Sequence, residues 1–213
     1  MIKLIVADDH PIFRAGIVQI LQNSPDIVVE CEVDNGLDLI NRIRERMFDV
    51  IILDMYMPGR SGIDLIKQIR VESPKTPILI LSSHKEDIYA VRTLKAGASG
   101  YLCKDNAASD LILAIKKVAG GGKFISAVVA EYLALDLSFK DTEIAPHTLL
   151  SNREFQIFIL IASGVALTEI AEQLNLSVKT ISTHKVRIKQ KMQFANSSEF
   201  VLYAIKHGLI PAS

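Results

Sequence analysis

Through the first half of the chain, short aliphatic runs alternate with stretches whose apolar residues recur at helical spacing. The runs are Leu4–Ala7, Ile27–Val33, Val50–Leu53, Ile78–Leu81 and Gly100–Leu102, and their length predicts strands. Between them, Ile12, Phe13, Gly16, Ile17, Ile20 and Leu21, then Leu37, Ile40 and Ile43, Ile63, Ile66 and Ile69, Ile88, Val91 and Leu94, and Leu111, Ala114, Ile115 and Val118 predict helices. Five βα units result. Strands written as nearly unbroken Val, Ile and Leu are buried on both faces, which calls for a doubly wound, five-stranded parallel sheet with helices on either side. Pro11 suits the first turn of a helix, and Gly120-Gly121-Gly122 stops the last one.

The pattern then changes. Ala127–Leu135 predicts a helix of about two turns, and Asp136–Thr148 is polar, contains Pro146 and lacks helical period, as a linker does. From Leu150 onward the spacing is helical throughout, over Asn152–Ala162, Thr168–Leu174, Val178–Met192 and Ser197–His207. The expected organisation is an α/β domain over 1–124, a short helix and linker over 125–149, and a smaller all-α domain over 150–213.

Charge sharpens this division. The chain of 213 residues carries 24 Lys and Arg against 24 Asp and Glu, and a net charge of zero argues on its face against a nucleic-acid partner. Split by segment, residues 1–124 are neutral, 125–150 carry a net −3 and 151–213 a net +3. The basic excess belongs to the helical end. Acidic residues interrupt every long apolar stretch, and Met1–Asp8 is too short and too soon acidic for a signal peptide, so a cytoplasmic protein without a membrane partner is expected. Cys31 and Cys103 stand alone and give no zinc pattern.

In an open parallel sheet, ligand chemistry sits beyond the carboxyl ends of the strands. Asp8 and Asp9 follow the first strand, Asp54 ends the third, Ser82 ends the fourth and Lys104 follows the fifth. Gathered carboxylates repel unless a cation joins them, and an all-oxygen set favours a hard ion such as Mg2+. This constellation, carried by Ala7-Asp8-Asp9-His10-Pro11, Leu53-Asp54-Met55-Tyr56-Met57-Pro58-Gly59, Leu81-Ser82-Ser83 and Gly100-Tyr101-Leu102-Cys103-Lys104, resembles the flavodoxin-like receiver domain of two-component response regulators. The resemblance implies that Asp54 is the phosphoacceptor for a sensor histidine kinase. It also implies that Asp9, Asp54 and the backbone carbonyl of Tyr56 hold Mg2+, with Asp8 acting through a metal-bound water. Lys104 and Ser82 would contact the phosphoryl oxygens, and Tyr101 would be the switch aromatic. His10 reads as a residue at the start of a helix, and His84 as part of a loop.

At the other end, Val178–Met192 carries Lys179, Lys185, Arg187, Lys189 and Lys191 and no acid. A helical wheel puts Ile181, Ile188 and Met192 on one face, Val178 at its edge, and Lys179, Thr183, Val186, Arg187 and Gln190 on the other. Ser177 is a fitting N-cap after the turn Asn175-Leu176-Ser177. Through Leu150-Ser151-Asn152-Arg153-Glu154, Ile161-Ala162-Ser163-Gly164, Glu169-Ile170-Ala171 and Lys179-Thr180-Ile181-Ser182-Thr183-His184, the segment resembles a LuxR-type helix-turn-helix. The two halves together resemble a NarL/FixJ-type response regulator, with the stretch through Lys185 closer to the BvgA/EvgA-like branch. That resemblance implies double-stranded DNA as partner, with Ser182, Thr183 and Val186 facing bases and Lys179, Thr180, His184 and Lys189 near the backbone. Lys185 would lie by the packing face and snorkel along Ile181 and Ile188. It further implies a homodimer on phosphorylation, with Phe200, Val201, Ala204 and Ile205 as its helical face, and RNA polymerase as a further partner. Two other readings are a receiver controlled by a protein or ligand instead of phosphate, and an aspartyl-phosphate phosphatase. The complete Asp9, Asp54, Ser82 and Lys104 set weighs against the first. Tyr56, standing where such a phosphatase needs a second Asp, weighs against the second, and no enzyme is expected.

Overall fold

In the computed structural model the five apolar runs form the strands Ile2–Ala7 (β1), Ile27–Val33 (β2), Val50–Asp54 (β3), Ile78–Ser82 (β4) and Gly100–Cys103 (β5) of one parallel sheet in the order β2-β1-β3-β4-β5. The structure describes residues 1–55, 57, 62–82, 88–106, 108–138, 145–207 and 209–210. Every residue of β3 and β4 is buried, as central strands covered on both faces require, whereas the edge strand β2 is buried at its two ends and partly exposed between them. The order reverses between β1 and β3, and the carboxyl ends of β1, β3, β4 and β5 open on the same side.

Helices Pro11–Gln22 (α1), Gly36–Glu45 (α2), Gly62–Glu72 (α3), Ile88–Lys95 (α4) and Ala108–Ala119 (α5) follow the strands in turn. Ile17 and Leu21 of α1 join Leu4, Val6, Ile52, Leu81, Leu111, Ile115 and Val118 in one apolar cluster. Two apolar positions fall outside this pattern. Ile12 and Leu37 are exposed, and in α2 the buried pair is Leu39 with Ile40, because a wheel read from sequence leaves the boundary of its apolar stripe undefined by a residue. Asn35 caps α2 by accepting the Asp38 N–H at 2.9 Å. Gly121 ends the stretch after α5 with φ of +83°, consistent with a helix stop.

The exposed edge of β5 is covered by the chain that follows α5. Tyr101 N–H donates to the Phe124 carbonyl at 3.0 Å, and Phe124 N–H donates to the Ser99 carbonyl at 3.1 Å. A Cβ on Gly100 would meet that same Phe124 oxygen at 2.9 Å, so the close approach requires glycine. The helix expected to be about two turns runs over Ala127–Ser138 (α6) and packs against α4. It belongs to the first of two compact units, Met1–Ser138 and Phe139–Ser213. Of the expected linker, Asp136–Thr148, the first residues continue α6, residues 139–144 lie outside the described residues, and Pro146–Leu149 form a 3-10 turn.

That turn is anchored within the second unit. His147 is buried and its Nδ1 lies 2.8 Å from the Tyr203 hydroxyl, whose ring stacks on His207. The unit's helices are Asn152–Ala162 (α7), Leu167–Gln173 (α8), Val178–Met192 (α9) and Ser198–Lys206 (α10). Ser151 and Glu154 make a capping box at the start of α7. Phe155, Ile157, Phe158, Ile170, Ile181, Ile188, Phe200 and Ala204 fill the interior. Among the described residues, no helix is long and apolar enough to cross a membrane.

Glu154 does more than cap. Its buried carboxylate accepts from Ser151 N–H at 2.8 Å and from Lys191 Nζ at 2.7 Å, joining α7 to the end of α9. Burial opposes the charge, but the Lys191 and Ser151 hydrogen bonds outweigh it and hold the carboxyl below its ordinary value. A lowered folded value means stability that is full above the unfolded value of about 4.5 and is lost as pH falls through the folded one. In the full chain, the protection factors of α7 amides, taken against intrinsic exchange rates at the same pH, are therefore expected to fall on acidification through that window, and Glu154→Gln is expected to flatten that part of the acid response.

Candidate functional site

The carboxyl ends of the central strands bring the predicted acids together. Asp8 and Asp54 are almost wholly buried, at 1% and 2% exposure, and Asp9 is partly exposed beside them. Lys104 reaches in from the loop after β5. Its Nζ donates to Asp54 Oδ2 at 2.9 Å and stands 2.7 Å from Asp8 Oδ2, the latter an ion contact without hydrogen-bond alignment. The Phe13 ring from α1 lies 4.4 Å under the same ammonium, which limits where the lysine can swing. Ser82 is buried at the end of β4, and Tyr101 is fully buried in β5. Tyr56, Pro58, Gly59, Ser83 and His84 lie outside the described residues.

Among the described residues, the Lys104 ammonium stands against three carboxylates, an arrangement that favours a further cation. Donor atoms of Asp8, Asp9, His10 and Asp54 all lie within 4.8 Å of one another, and Asp9 Oδ1 is buried without a hydrogen-bond donor. Such a donor set fits a divalent ion. His10 was not among the predicted ligands. Its ring turns into the cluster because Pro11 holds the preceding backbone extended, and because the His10 N–H donates to Asp8 Oδ1 at 2.8 Å.

Beside the cluster, a cavity of about 530 Å3 opens between α1 and the end of β5, lined by Phe13, Gly16, Ile17, Leu102, Cys103 and Lys104 among others. Arg14 is committed elsewhere: its Nη1 donates to the Asp8 carbonyl at 2.5 Å.

The second unit presents a helix-turn-helix. Asn175, at φ of 51°, makes the left-handed turn between α8 and α9, and Ser177 caps α9 by accepting the Thr180 N–H at 3.0 Å. Ile181, Ile188 and Met192 are buried, while Lys179, Thr183, Val186, Arg187, Lys189 and Gln190 are exposed and Thr180, Ser182, His184 and Lys185 are half-buried. Thr183 Oγ1 donates to the Lys179 carbonyl at 3.0 Å. With its hydroxyl so engaged, Thr183 has its methyl to offer outward. His184 has a buried Nδ1 without a hydrogen-bond partner, and burial chiefly, with Arg187 and Arg153, lowers its pKa below 6.5 against the opposing pull of Glu154. The imidazole is therefore neutral at pH 7.

The helical face proposed for dimerisation needs correction. Phe200 and Ala204 are buried in the unit's own core, where Phe200 packs 5.1 Å from Phe194 and 5.8 Å from Phe158 by ring centroids. Residues four apart on a helix share a face, and this face is already used. Val201, Leu202 and Ile205 remain exposed on α10.

Comparison with known proteins agrees with both halves. The family described as "Response regulator receiver domain" matches residues 4–116, and "Bacterial regulatory proteins, luxR family" matches 148–204. The response regulator UvrY of Escherichia coli is 35% identical over 212 residues, spanning 100% of this chain and 97% of that protein. GacA of Pseudomonas syringae is 33% identical over 213 residues and the full length of both. Among solved structures, RcsB of Salmonella typhimurium is 30% identical with a TM-score of 0.70, covering 95% of this chain and 96% of that one. A second RcsB structure, bound to the promoter P1flhDC with a phosphomimetic, is 29% identical with a TM-score of 0.65, covering 95% and 97%.

Because Asp8 and Asp54 face one another in a buried site, Lys104 is expected to be structural as well as chemical. Lys104→Met should lower the urea-unfolding free energy of the first unit by about 3 kcal/mol at neutral pH without added divalent ion, since the remaining buried charges lose their partner. Adding Asp54→Asn should return part of that loss by removing one of the stranded carboxylates.

Proposed function

The chain belongs to the NarL/FixJ family of two-component response regulators, transcription factors with a receiver and a LuxR-type DNA-binding domain, and on that premise we propose that phosphoryl transfer to Asp54 controls its binding to DNA. The observation that carries this reading is the Lys104 ammonium set 2.9 Å from Asp54 and 2.7 Å from Asp8 at the mouth of the sheet. Phosphoryl transfer asks a protein for in-line positioning and for cations against developing charge, and the second is supported by this arrangement.

The Asp54 carboxylate oxygen attacks phosphorus as the bond from phosphorus to the kinase's histidine nitrogen breaks. Asp9 and Asp54, with the Tyr56 carbonyl, would hold Mg2+, and Asp8 would support that site. When bound, Mg2+ offsets the negative charge gathering on the phosphoryl oxygens. Lys104 exchanges Asp54 for a phosphoryl oxygen, and the Ser82 hydroxyl turns to another. Each new phosphoryl oxygen is a strong acceptor, so Ser82 is drawn toward it and the packing space beside Tyr101 changes. That repacking alters the surface of α4 and β5. The cavity between α1 and β5 lies next to Lys104 and suits a kinase surface that delivers the phosphohistidine.

Domain limits of 1–124 for the receiver, 125–149 for the short helix and linker, and 150–213 for the reader follow the sequence pattern. On DNA, α9 enters the major groove. Ser182, Thr183 and Val186 face base edges, with the Thr183 and Val186 methyls suited to thymine methyl groups. Lys179, Thr180, His184, Lys185 and Lys189 track the phosphates. Val201, Leu202 and Ile205 offer the apolar surface for a homodimer on two half-sites, and RNA polymerase is the partner that a promoter-bound regulator would engage. These partners place the protein in the cytoplasm.

The test uses the full chain and a DNA site selected from a random pool. Acetyl phosphate with Mg2+ is expected to tighten binding by wild type about tenfold or more, and to leave Asp54→Asn unchanged. Equal stimulation of both would remove Asp54 from the switch.

A further inference from the structure

We infer that His10 supplies an imidazole nitrogen to the cation site, making it a mixed oxygen and nitrogen site in which first-row transition ions such as Mn2+ compete favourably with Mg2+. This rests on the reading of Asp8, Asp9 and Asp54 as a divalent-ion site and adds a ligand to it. The geometry is specific. His10 Nδ1 lies 2.9 Å from Asp9 Oδ1, 3.1 Å from Asp8 Oδ1 and 3.7 Å from Asp54 Oδ2. One ring nitrogen carries at most one N–H, and it faces oxygens of three different carboxylates, more than a single hydrogen bond can satisfy. The 3.1 Å approach to Asp8 Oδ1 is a hydrogen bond in the tautomer that carries its proton on Nδ1; with the proton on Nε2, the Nδ1 lone pair faces the same carboxylate oxygens, and neighbouring donors around an octahedral ion likewise stand about 3 Å apart.

The ring is held in this position by the chain itself. Pro11 restricts the His10 backbone to an extended conformation, with ψ of 103°, and the His10 N–H is bonded to Asp8 Oδ1, so ligand and neighbour are fixed as one unit. The ring is also at the mouth of the site, with 64% of the side chain exposed, and its replacement leaves the core untouched. An imidazole ligand changes preference among ions. Mg2+ prefers oxygen donors and keeps water in preference to nitrogen, whereas affinity of nitrogen-containing sites rises from Mn2+ toward the later first-row metals.

Pulsed electron paramagnetic resonance of Mn2+ bound to the full chain tests this directly. A directly bound nitrogen couples to the electron spin, and a 14N coupling is expected in wild type and lost in His10→Ala. Mn2+ affinity should fall about tenfold in that variant while Mg2+ affinity stays nearly constant. Mn2+ that binds in an Asp9- and Asp54-dependent manner without 14N coupling, or with a coupling that persists in His10→Ala, would overturn the role of His10 and leave the carboxylate site standing. Binding indifferent to Asp9→Asn and Asp54→Asn, or no binding, would overturn both.

Discussion

The structure turns on three carboxylates gathered at one end of a sheet. Asp8 and Asp54 are buried side by side, Asp9 adjoins them, and among the described residues Lys104 is the ammonium that meets them, held over the ring of Phe13. Carboxylates so placed are costly to keep charged in a site of low polarity. The cost is the source of the function. Gathered carboxylates favour a divalent cation, and a cation held there in turn stabilises an added phosphoryl group. Any group that alters this balance alters the contacts that Lys104 and Ser82 can make, and these residues sit at the ends of β5 and β4.

The remainder of the first unit exists to hold that arrangement. Parallel strands buried on both faces fix the spacing of their ends to about 4.8 Å, so side chains distant in sequence arrive within ion-pair reach. Tyr101 lies on β5 next to the strand that ends in Ser82, and the β5 edge is closed by the Phe124 segment. In the second unit a different balance applies. There Glu154 is buried but has two partners, and its role is to hold α7 against α9 through Lys191 while Lys179, Arg187 and Lys189 of α9 face outward. The zero net charge of the chain is thus the sum of a neutral first stretch, a net −3 over 125–150 and a net +3 over 151–213.

Much of this was legible in the sequence because it depends on local pattern. Val50–Leu53 and Ile78–Leu81 can only be buried strands, and acids or a hydroxyl at their ends can only lie at the sheet's mouth. Ile181, Ile188 and Met192 follow from helical period alone. What the sequence left open depends on which neighbour a face meets. Phe200 and Ala204 have the spacing of an interface, yet the aromatic cluster of Phe158 and Phe194 claims them. His147 sits in a polar stretch with no period, and its burial follows from Tyr203, 56 residues away. His10 precedes a helix as its position indicates, but the direction of its ring depends on Pro11 and Asp8 together.

In the proposed switch Asp54 forms the acyl phosphate, and borohydride trapping measures it most directly. Full-length protein is treated with acetyl phosphate and Mg2+, reduced with borohydride and mapped by mass spectrometry. Homoserine is expected at position 54, since reduction of an aspartyl phosphate converts the side chain to an alcohol. Homoserine at position 8 or 9 instead, or none anywhere under conditions that change DNA binding, would contradict it.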